Sequence, residues 1–118
     1  MHKILRAINY AFNGLRIAFK KERNFKIEIF CALIAILMAI ILRVTQASWL
    51  IIILNISFVL TAELFNTAIE NLADVACKEL NPVIKVIKDV AAAAVIIAVV
   101  SALASGLVIF IPLILKFY

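Results

Sequence analysis

Three residue types that build many enzyme sites are scarce in this chain of 118 residues. It has two glycines, two cysteines and one histidine. The glycines, Gly14 and Gly106, are far apart, which excludes a glycine-rich phosphate-binding loop. The cysteines, Cys31 and Cys77, lack metal-type spacing and form no cluster with His2, so a zinc site is excluded as well. A nucleophile, histidine and acid set for covalent catalysis is equally excluded.

Charge is scarce too, and its scarcity defines the class of protein. Charged residues make up 16% of the chain and hydrophobic residues 67%, against roughly 25% and 45–50% in soluble domains. Residues 44–62 and 90–115 carry no charge, and about 20 apolar residues cross a bilayer. Residues 29–42 reach that length once Lys26 and Glu28 are included. We predict an all-α membrane protein of one domain, residues 1–118, with spans at about 26–43, 47–76 and 82–115.

The segment before the first span has a helical pattern of its own. Apolar residues recur at intervals of three and four between Leu5 and Phe19, and basic and polar residues occupy much of the remainder. This pattern predicts an amphipathic surface helix over about residues 3–20, with its apolar side toward the membrane.

The basic residues predict the orientation of the chain. Seven of the twelve Lys and Arg residues precede the first span and three lie between residues 78 and 88, whereas the link between the first two spans has only Arg43. The positive-inside rule then places the N-terminus and the second loop in the cytoplasm. Because the net charge of +5 lies beside lipid, we expect anionic headgroups as its partner and no nucleic acid.

A stripe of polar side chains interrupts the predicted second span near its inner end. On a helix turning 100° per residue, Asn66, Thr67, Glu70 and Asp74 fall within about 60° of Glu63, along about 16 Å of helix. Charge is costly inside a membrane, so acids at that depth indicate a functional site. The stripe suggests a site that holds a cation and acts on a molecule dissolved in lipid.

Further charged side chains are expected at the same membrane level, from the first and third spans: Glu22, Glu28, Lys88 and Asp89. Taken singly, each is equally consistent with a surface or packing role. Together with the stripe they supply carboxylates for a hard cation such as Mg²⁺, a carboxylate base, and a lysine for phosphate charge. Those are the groups that phosphoryl transfer requires.

These residues carry a resemblance to a known family. The run Glu63-x-x-Asn66-Thr67-Ala68-Ile69-Glu70-x-x-x-Asp74, followed by Lys88-Asp89, is similar to the small bacterial diacylglycerol kinases and undecaprenol kinases. The similarity continues upstream through Tyr10, Gly14-Leu15-Arg16 and Glu22 to Glu28, so it covers nearly the whole chain. The chain departs from the family at Asn81, where a histidine is common.

The resemblance implies an ATP- and Mg²⁺-dependent lipid kinase that works as a homotrimer in the bacterial inner membrane, with sites between subunits at the cytoplasmic face. It implies Glu63 as the general base on the lipid hydroxyl, and Glu22 and Glu70 as ligands of Mg²⁺. The residues implied at the ATP site are Tyr10, Glu22, Glu70, Glu79, Lys88 and Asp89. Those implied as supporting or near the lipid are Asn66, Asp74, Glu28 and Arg16.

The residues by themselves leave alternatives open. Intramembrane acids also serve proton relays, so a small proton-coupled transporter is one alternative, and a non-enzymatic membrane subunit is another. The clustering of the acids at one interface, away from the midplane, argues against the transporter. Diacylglycerol and a polyprenol such as undecaprenol both present one hydroxyl on an apolar body, and both remain candidate acceptors.

Overall fold

The chain, in a computed structural model that describes residues 1–116, folds into four α-helices. They are α1 (His2–Lys21), α2 (Arg23–Leu42), α3 (Gln46–Ala76) and α4 (Pro82–Leu115). Helices α2, α3 and α4 are each long and apolar enough to cross a membrane. The prediction of an all-α protein with three spans is confirmed, and α1 occupies the segment predicted as the surface helix.

The connection between α2 and α3 is a tight turn. Arg43 adopts the left-handed conformation, with φ 52° and ψ 57°. The Val44 N–H donates to the Ala39 carbonyl at 3.2 Å and the Arg43 N–H to the Ile40 carbonyl at 3.3 Å, which is the Schellman arrangement that closes a helix. The Thr45 hydroxyl then accepts a hydrogen bond from the first turn of α3 at 3.2 Å. This turn makes α2 and α3 antiparallel neighbours.

A single residue separates α1 from α2. Glu22 has an extended backbone, with φ −104° and ψ 112°. Its N–H donates to the Ala18 carbonyl at 2.9 Å, and its own carbonyl accepts from the Lys26 N–H at 3.3 Å. Glu22 therefore closes α1 and opens α2, and α2 begins at Arg23, earlier than the hydropathy pattern predicts.

The start of α4 follows from its sequence. Asn81 is the N-cap, and its side-chain oxygen accepts a hydrogen bond from the Val83 N–H at 2.8 Å. Pro82 occupies the first helical position, where its missing N–H has no helical partner to lose. The Asn-Pro pair thus marks the helix start at residue 82, where the third span is predicted to begin, and the helix continues through Pro112.

Helix α4 packs chiefly against α3 along a regular seam. The buried positions of α3 include Ile52, Val59, Asn66 and Ala73, spaced by seven residues. The buried positions of α4 are Ala91 and Ala98, with the same spacing. Seven-residue spacing keeps one face of each helix toward its partner, and small residues allow close approach in a membrane.

A polar group of three side chains joins α3 to α4 within this apolar surface. The Asn55 Nδ2 donates to the Ile51 carbonyl at 3.0 Å and to the Ser105 Oγ at 3.2 Å. The Ser101 hydroxyl donates to the Asn55 Oδ1 at 3.2 Å. We call Asn55, Ser101 and Ser105 the asparagine–serine clamp. The sequence analysis did not single it out, although Asn55 and the i, i+4 serines stand out as polar residues in otherwise apolar spans.

Most large apolar side chains point away from the bundle. Leu54 is 68% exposed on α3 and Leu103 is 64% exposed on α4. Hydrocarbon or neighbouring subunits must cover these exposed side chains, because contact between so much apolar surface and water is unfavourable. The folded chain is therefore built for a lipid environment.

Candidate functional site

The acidic residues gather at the end of the bundle where α2 and α4 begin and α3 ends. The carboxylates of Glu22, Glu28 and Glu70 all lie within electrostatic range of Glu63 or in direct contact with it. We call Glu22, Glu28, Glu63 and Glu70 the acidic cluster. Its members come from the α1–α2 junction, from α2 and from α3.

Glu63 is the buried centre of the cluster. Its side chain is 2% exposed, on the face of α3 that also buries Val59 and Asn66. Its carboxyl group faces that of Glu28, on α2, within hydrogen-bonding reach. Two facing carboxylates repel each other unless a proton or a cation lies between them. A proton or a cation between the two carboxyl groups would relieve this repulsion.

Asn66 lies between Glu63 and Glu70 on α3 and contacts Glu70. Asn66 is 8% exposed, and its Nδ2 donates to the Glu70 Oε1 at 3.1 Å. This bond orients the Glu70 carboxylate, which is only partly covered by its neighbours. The stripe predicted from helical spacing therefore faces inward at Glu63 and Asn66 and turns toward the surface at Glu70.

The two basic–acidic pairs at the start of α4 differ in direction. The Lys88 Nζ contacts the Asp74 Oδ1 on α3 at 2.5 Å, and the same lysine lies within electrostatic range of Glu70. The Lys85 Nζ instead contacts the Asp89 Oδ2 at 2.7 Å, one turn along α4. Although Lys88 and Asp89 are adjacent in sequence, only Lys88 is turned toward the acidic cluster.

Three of the expected site residues stand apart. Tyr10 is 73% exposed on α1, and Arg16 and Glu79 are also exposed. Within residues 1–116, none of the three makes a side-chain hydrogen bond or ion pair, and the single chain does not bring them to the acidic cluster.

Oxygen atoms suited to a hard cation are present at the cluster. The Glu28 Oε2 and the Asn66 Oδ1 are buried and have no hydrogen-bond partner among residues 1–116. Across the same residues, no three acidic, histidine or cysteine side chains converge into a complete metal cage. Mg²⁺ fits such a donor set, because it binds one or two carboxylates and fills its remaining positions with water and phosphate oxygens.

An apolar cleft of about 640 Å³ leads along the bundle from the acidic cluster. It lies between α2, α3 and α4, with Asn24 and Glu28 at one end. Farther along, it passes Cys31, Ala35 and Met38, and the clamp residue Asn55 also contacts it. Glu28 is the member of the acidic cluster that lines the cleft, so a hydrocarbon chain lying in it could end beside Glu28, which faces Glu63.

The sequence predicts Glu28 at the membrane level of the site and leaves its role open between packing and function. The opposition of Glu28 and Glu63 is not predicted from the sequence. The sequence does contain a signal for this contact. Glu28 lies inside the predicted first span, six residues after Glu22, and an acid at that depth needs a partner.

The fold and the site together define an integral-membrane protein with three spans and an acidic centre at one end. Residues 9–110 match the family described as Prokaryotic diacylglycerol kinase. The chain is 30% identical over 112 residues to an undecaprenol kinase of Bacillus subtilis, covering 95% of this chain and 91% of that protein. It is 32% identical over 100 residues to a diacylglycerol kinase of Escherichia coli K12, covering 85% and 82%.

A diacylglycerol kinase of Synechocystis is 31% identical over 110 residues, which cover 92% of this chain and 63% of that protein. The chain belongs to the prokaryotic diacylglycerol kinase family. It is a lipid kinase, and its reaction is an ATP-dependent phosphorylation.

Proposed function

We propose that this lipid kinase transfers the γ-phosphoryl group of ATP to the hydroxyl of a membrane lipid, with Glu63 as the general base. The observation that carries this proposal is the burial of Glu63 at 2% exposure, facing Glu28 at the head of an apolar cleft. The Glu63 carboxylate takes the hydroxyl proton as the lipid oxygen bonds to the γ-phosphorus. The bond to the bridging oxygen breaks and ADP leaves.

The nucleotide is proposed to bind beside Glu63, at the partly exposed end of the cluster. Glu70 and Glu22 hold Mg²⁺, and Asn66 supports this arrangement by orienting Glu70 at 3.1 Å. When bound, Mg²⁺ neutralises phosphate charge. Lys88, held near Glu70 by Asp74, contributes a positive charge to the same phosphates. Further residues proposed to line the ATP site or the lipid headgroup are Tyr10, Glu79, Asp89 and Arg16.

The acceptor is proposed to be diacylglycerol or a polyprenol such as undecaprenol. Both present one hydroxyl at the end of a long hydrocarbon body, and the apolar lining of the cleft suits such a body. The names of the relatives support both acceptors, since one relative is an undecaprenol kinase and others are diacylglycerol kinases.

We also propose that the enzyme is a homotrimer of single-domain subunits in the bacterial inner membrane, with the acidic cluster facing the cytoplasm and α1 lying in the membrane interface. The exposed apolar surface supports association, because α4 leaves residues such as Leu103 uncovered. Tyr10 and Glu79 are exposed and make no side-chain hydrogen bond or ion pair with the cluster among residues 1–116, which is consistent with sites completed by a neighbouring subunit. The basic residues of α1 support the cytoplasmic placement.

Transfer of labelled γ-phosphate from ATP to a panel of lipids tests the proposal directly. Pure protein in detergent is supplied with diacylglycerol, undecaprenol or a phospholipid that lacks a free hydroxyl, and Glu63→Gln is the control variant. We expect the parent protein to label diacylglycerol or undecaprenol and the Glu63→Gln protein to label neither. Equal labelling by the parent and Glu63→Gln proteins would contradict the role of Glu63.

A further inference from the structure

The asparagine–serine clamp lies in the middle part of two helices that are each long and apolar enough to cross a membrane. Asn55 is nine residues into α3, about 14 Å along the helix at 1.5 Å per residue, which is about half of the ~30 Å hydrocarbon layer. All of its amide hydrogens and its oxygen are used, by Ile51, Ser101 and Ser105. A fully bonded polar group at this depth joins α3 to α4 at one defined point.

Between the clamp and the acidic cluster, the α3–α4 seam contains small side chains. The buried residues of α4 there are Ala91 and Ala98, which carry no polar group to fix an axial position, whereas larger side chains such as Phe110 pack near Ile52 at the other end of the seam. A polar residue within an apolar seam is a known means of fixing register, because any slipped arrangement leaves its hydrogen-bonding groups unpaired. The clamp supplies the register that the alanines leave open.

The register determines where Lys88 lies. Asp74 is 19 residues from Asn55, about 28 Å along α3, and Lys88 is about 22 Å along α4 from the midpoint of Ser101 and Ser105. The remaining gap of about 6 Å is spanned by the long lysine side chain, which reaches Asp74. A slip of one turn that carries Lys88 away from Asp74 would add about 5.4 Å to this gap and separate the two groups, and a slip the other way would carry Lys88 about one turn along α3 relative to Glu70.

We infer that Asn55, bonded to Ser101 and Ser105, is a positioning residue that sets the register of α4 on α3 and thereby places Lys88 beside Asp74 and Glu70. The inference rests on the proposed function, in which Lys88 contacts the phosphates of ATP. It assigns to a polar group in mid-membrane an effect on nucleotide use at the membrane surface.

The test is a set of steady-state measurements on Asn55→Leu, which keeps a side chain of similar size and removes the interhelical bonds. An interhelical hydrogen bond in a membrane typically changes an equilibrium by about threefold, and the strongest by about twentyfold. We expect the KM for ATP to rise by that factor while the KM for the lipid stays unchanged. Ser57→Ala, which removes an exposed hydroxyl two residues along α3, is the matched control and should match the parent in both KM values.

Combining Asn55→Leu with Asp74→Asn in a double variant distinguishes a positioning role of Asn55 from a general loss of stability. If the clamp acts through the Lys88–Asp74 pair, Asn55→Leu will raise the KM for ATP in the parent but not further in Asp74→Asn. If the two substitutions raise the KM for ATP independently, so that their fold-changes multiply in the double variant, the inference is overturned. A fall in kcat with both KM values unchanged would overturn it as well. Should Asn55→Leu fail to assemble, the Ser101→Ala/Ser105→Ala double variant carries the same test.

The failure of the proposed function has a different signature. If Asp74→Asn by itself leaves the KM for ATP at the parent value, the Lys88–Asp74 pair is not part of the nucleotide site, and the inference is overturned together with that assignment. If Asp74→Asn raises the KM for ATP and the fold-changes of the two substitutions still multiply, the assignment of the nucleotide site is retained and only the positioning role of Asn55 is refuted.

Discussion

Replacing Glu63 with glutamine removes the proposed base while preserving size and polarity. General base catalysis contributes about 10²- to 10⁴-fold, so turnover should fall by at least that factor, equivalent to about 3–5 kcal/mol of barrier. The structure adds a second expectation. Because Glu63 is 2% exposed and faces the half-buried Glu28, a neutral amide relieves the repulsion between the two carboxyl groups, and the folded protein should be as stable as the parent or more so.

The assay therefore measures three quantities on the same preparation: lipid phosphorylation, ATP binding and thermal unfolding. Glu63→Gln should unfold at or above the parent temperature, bind ATP with parent affinity and lose turnover. Glu63→Asp, which retains a carboxylate one methylene shorter, should recover part of the rate. A folded Glu63→Gln protein that phosphorylates lipid at a rate near that of the parent would remove Glu63 from the mechanism. Lost activity together with a lowered unfolding temperature would assign Glu63 a structural role.

Three other predictions concern the metal, the topology and the assembly. Glu70→Gln should raise the Mg²⁺ concentration needed for half-maximal rate, since it removes a carboxylate oriented by Asn66, and unchanged Mg²⁺ titration curves would contradict this. In a background without native cysteines, Ser48→Cys should be labelled from outside intact cells, whereas labelling of Glu79→Cys would reverse the topology. Mixing Glu63→Gln subunits with Glu22→Gln subunits should restore partial activity if sites are shared in a trimer, and a fully active monomer in detergent would refute the assembly.

Much of the fold was accessible from the sequence because hydropathy and helix caps are local properties. The charge-free runs predict the spans, and the Asn81–Pro82 pair predicts the start of α4. The helical spacing of the acids likewise predicts that Glu63 and Asn66 share a face, and both are buried. Each of these inferences needs only the geometry of one helix.

The contacts between helices were not accessible in the same way. That Glu28 faces Glu63 depends on how α2 is rotated against α3, which side-chain packing decides. Lys88 is adjacent to Asp89 in the sequence but contacts Asp74 across the seam, because adjacent residues on a helix point in different directions. The bonds of Asn55 to Ser101 and Ser105 likewise join two helices, so the polar residues are visible in the sequence but their pairing is not.

Glu22, a proposed ligand of Mg²⁺, is also the single residue that joins α1 to α2. Its N–H closes α1 and its carbonyl opens α2, so the orientation of its carboxylate depends on both helices. If α1 lies among the lipid headgroups and Glu22 is a metal ligand, as we propose, the depth and tilt of α1 help to determine where Glu22 stands relative to Glu63. Bilayer thickness and headgroup charge would then change the geometry of the proposed active site.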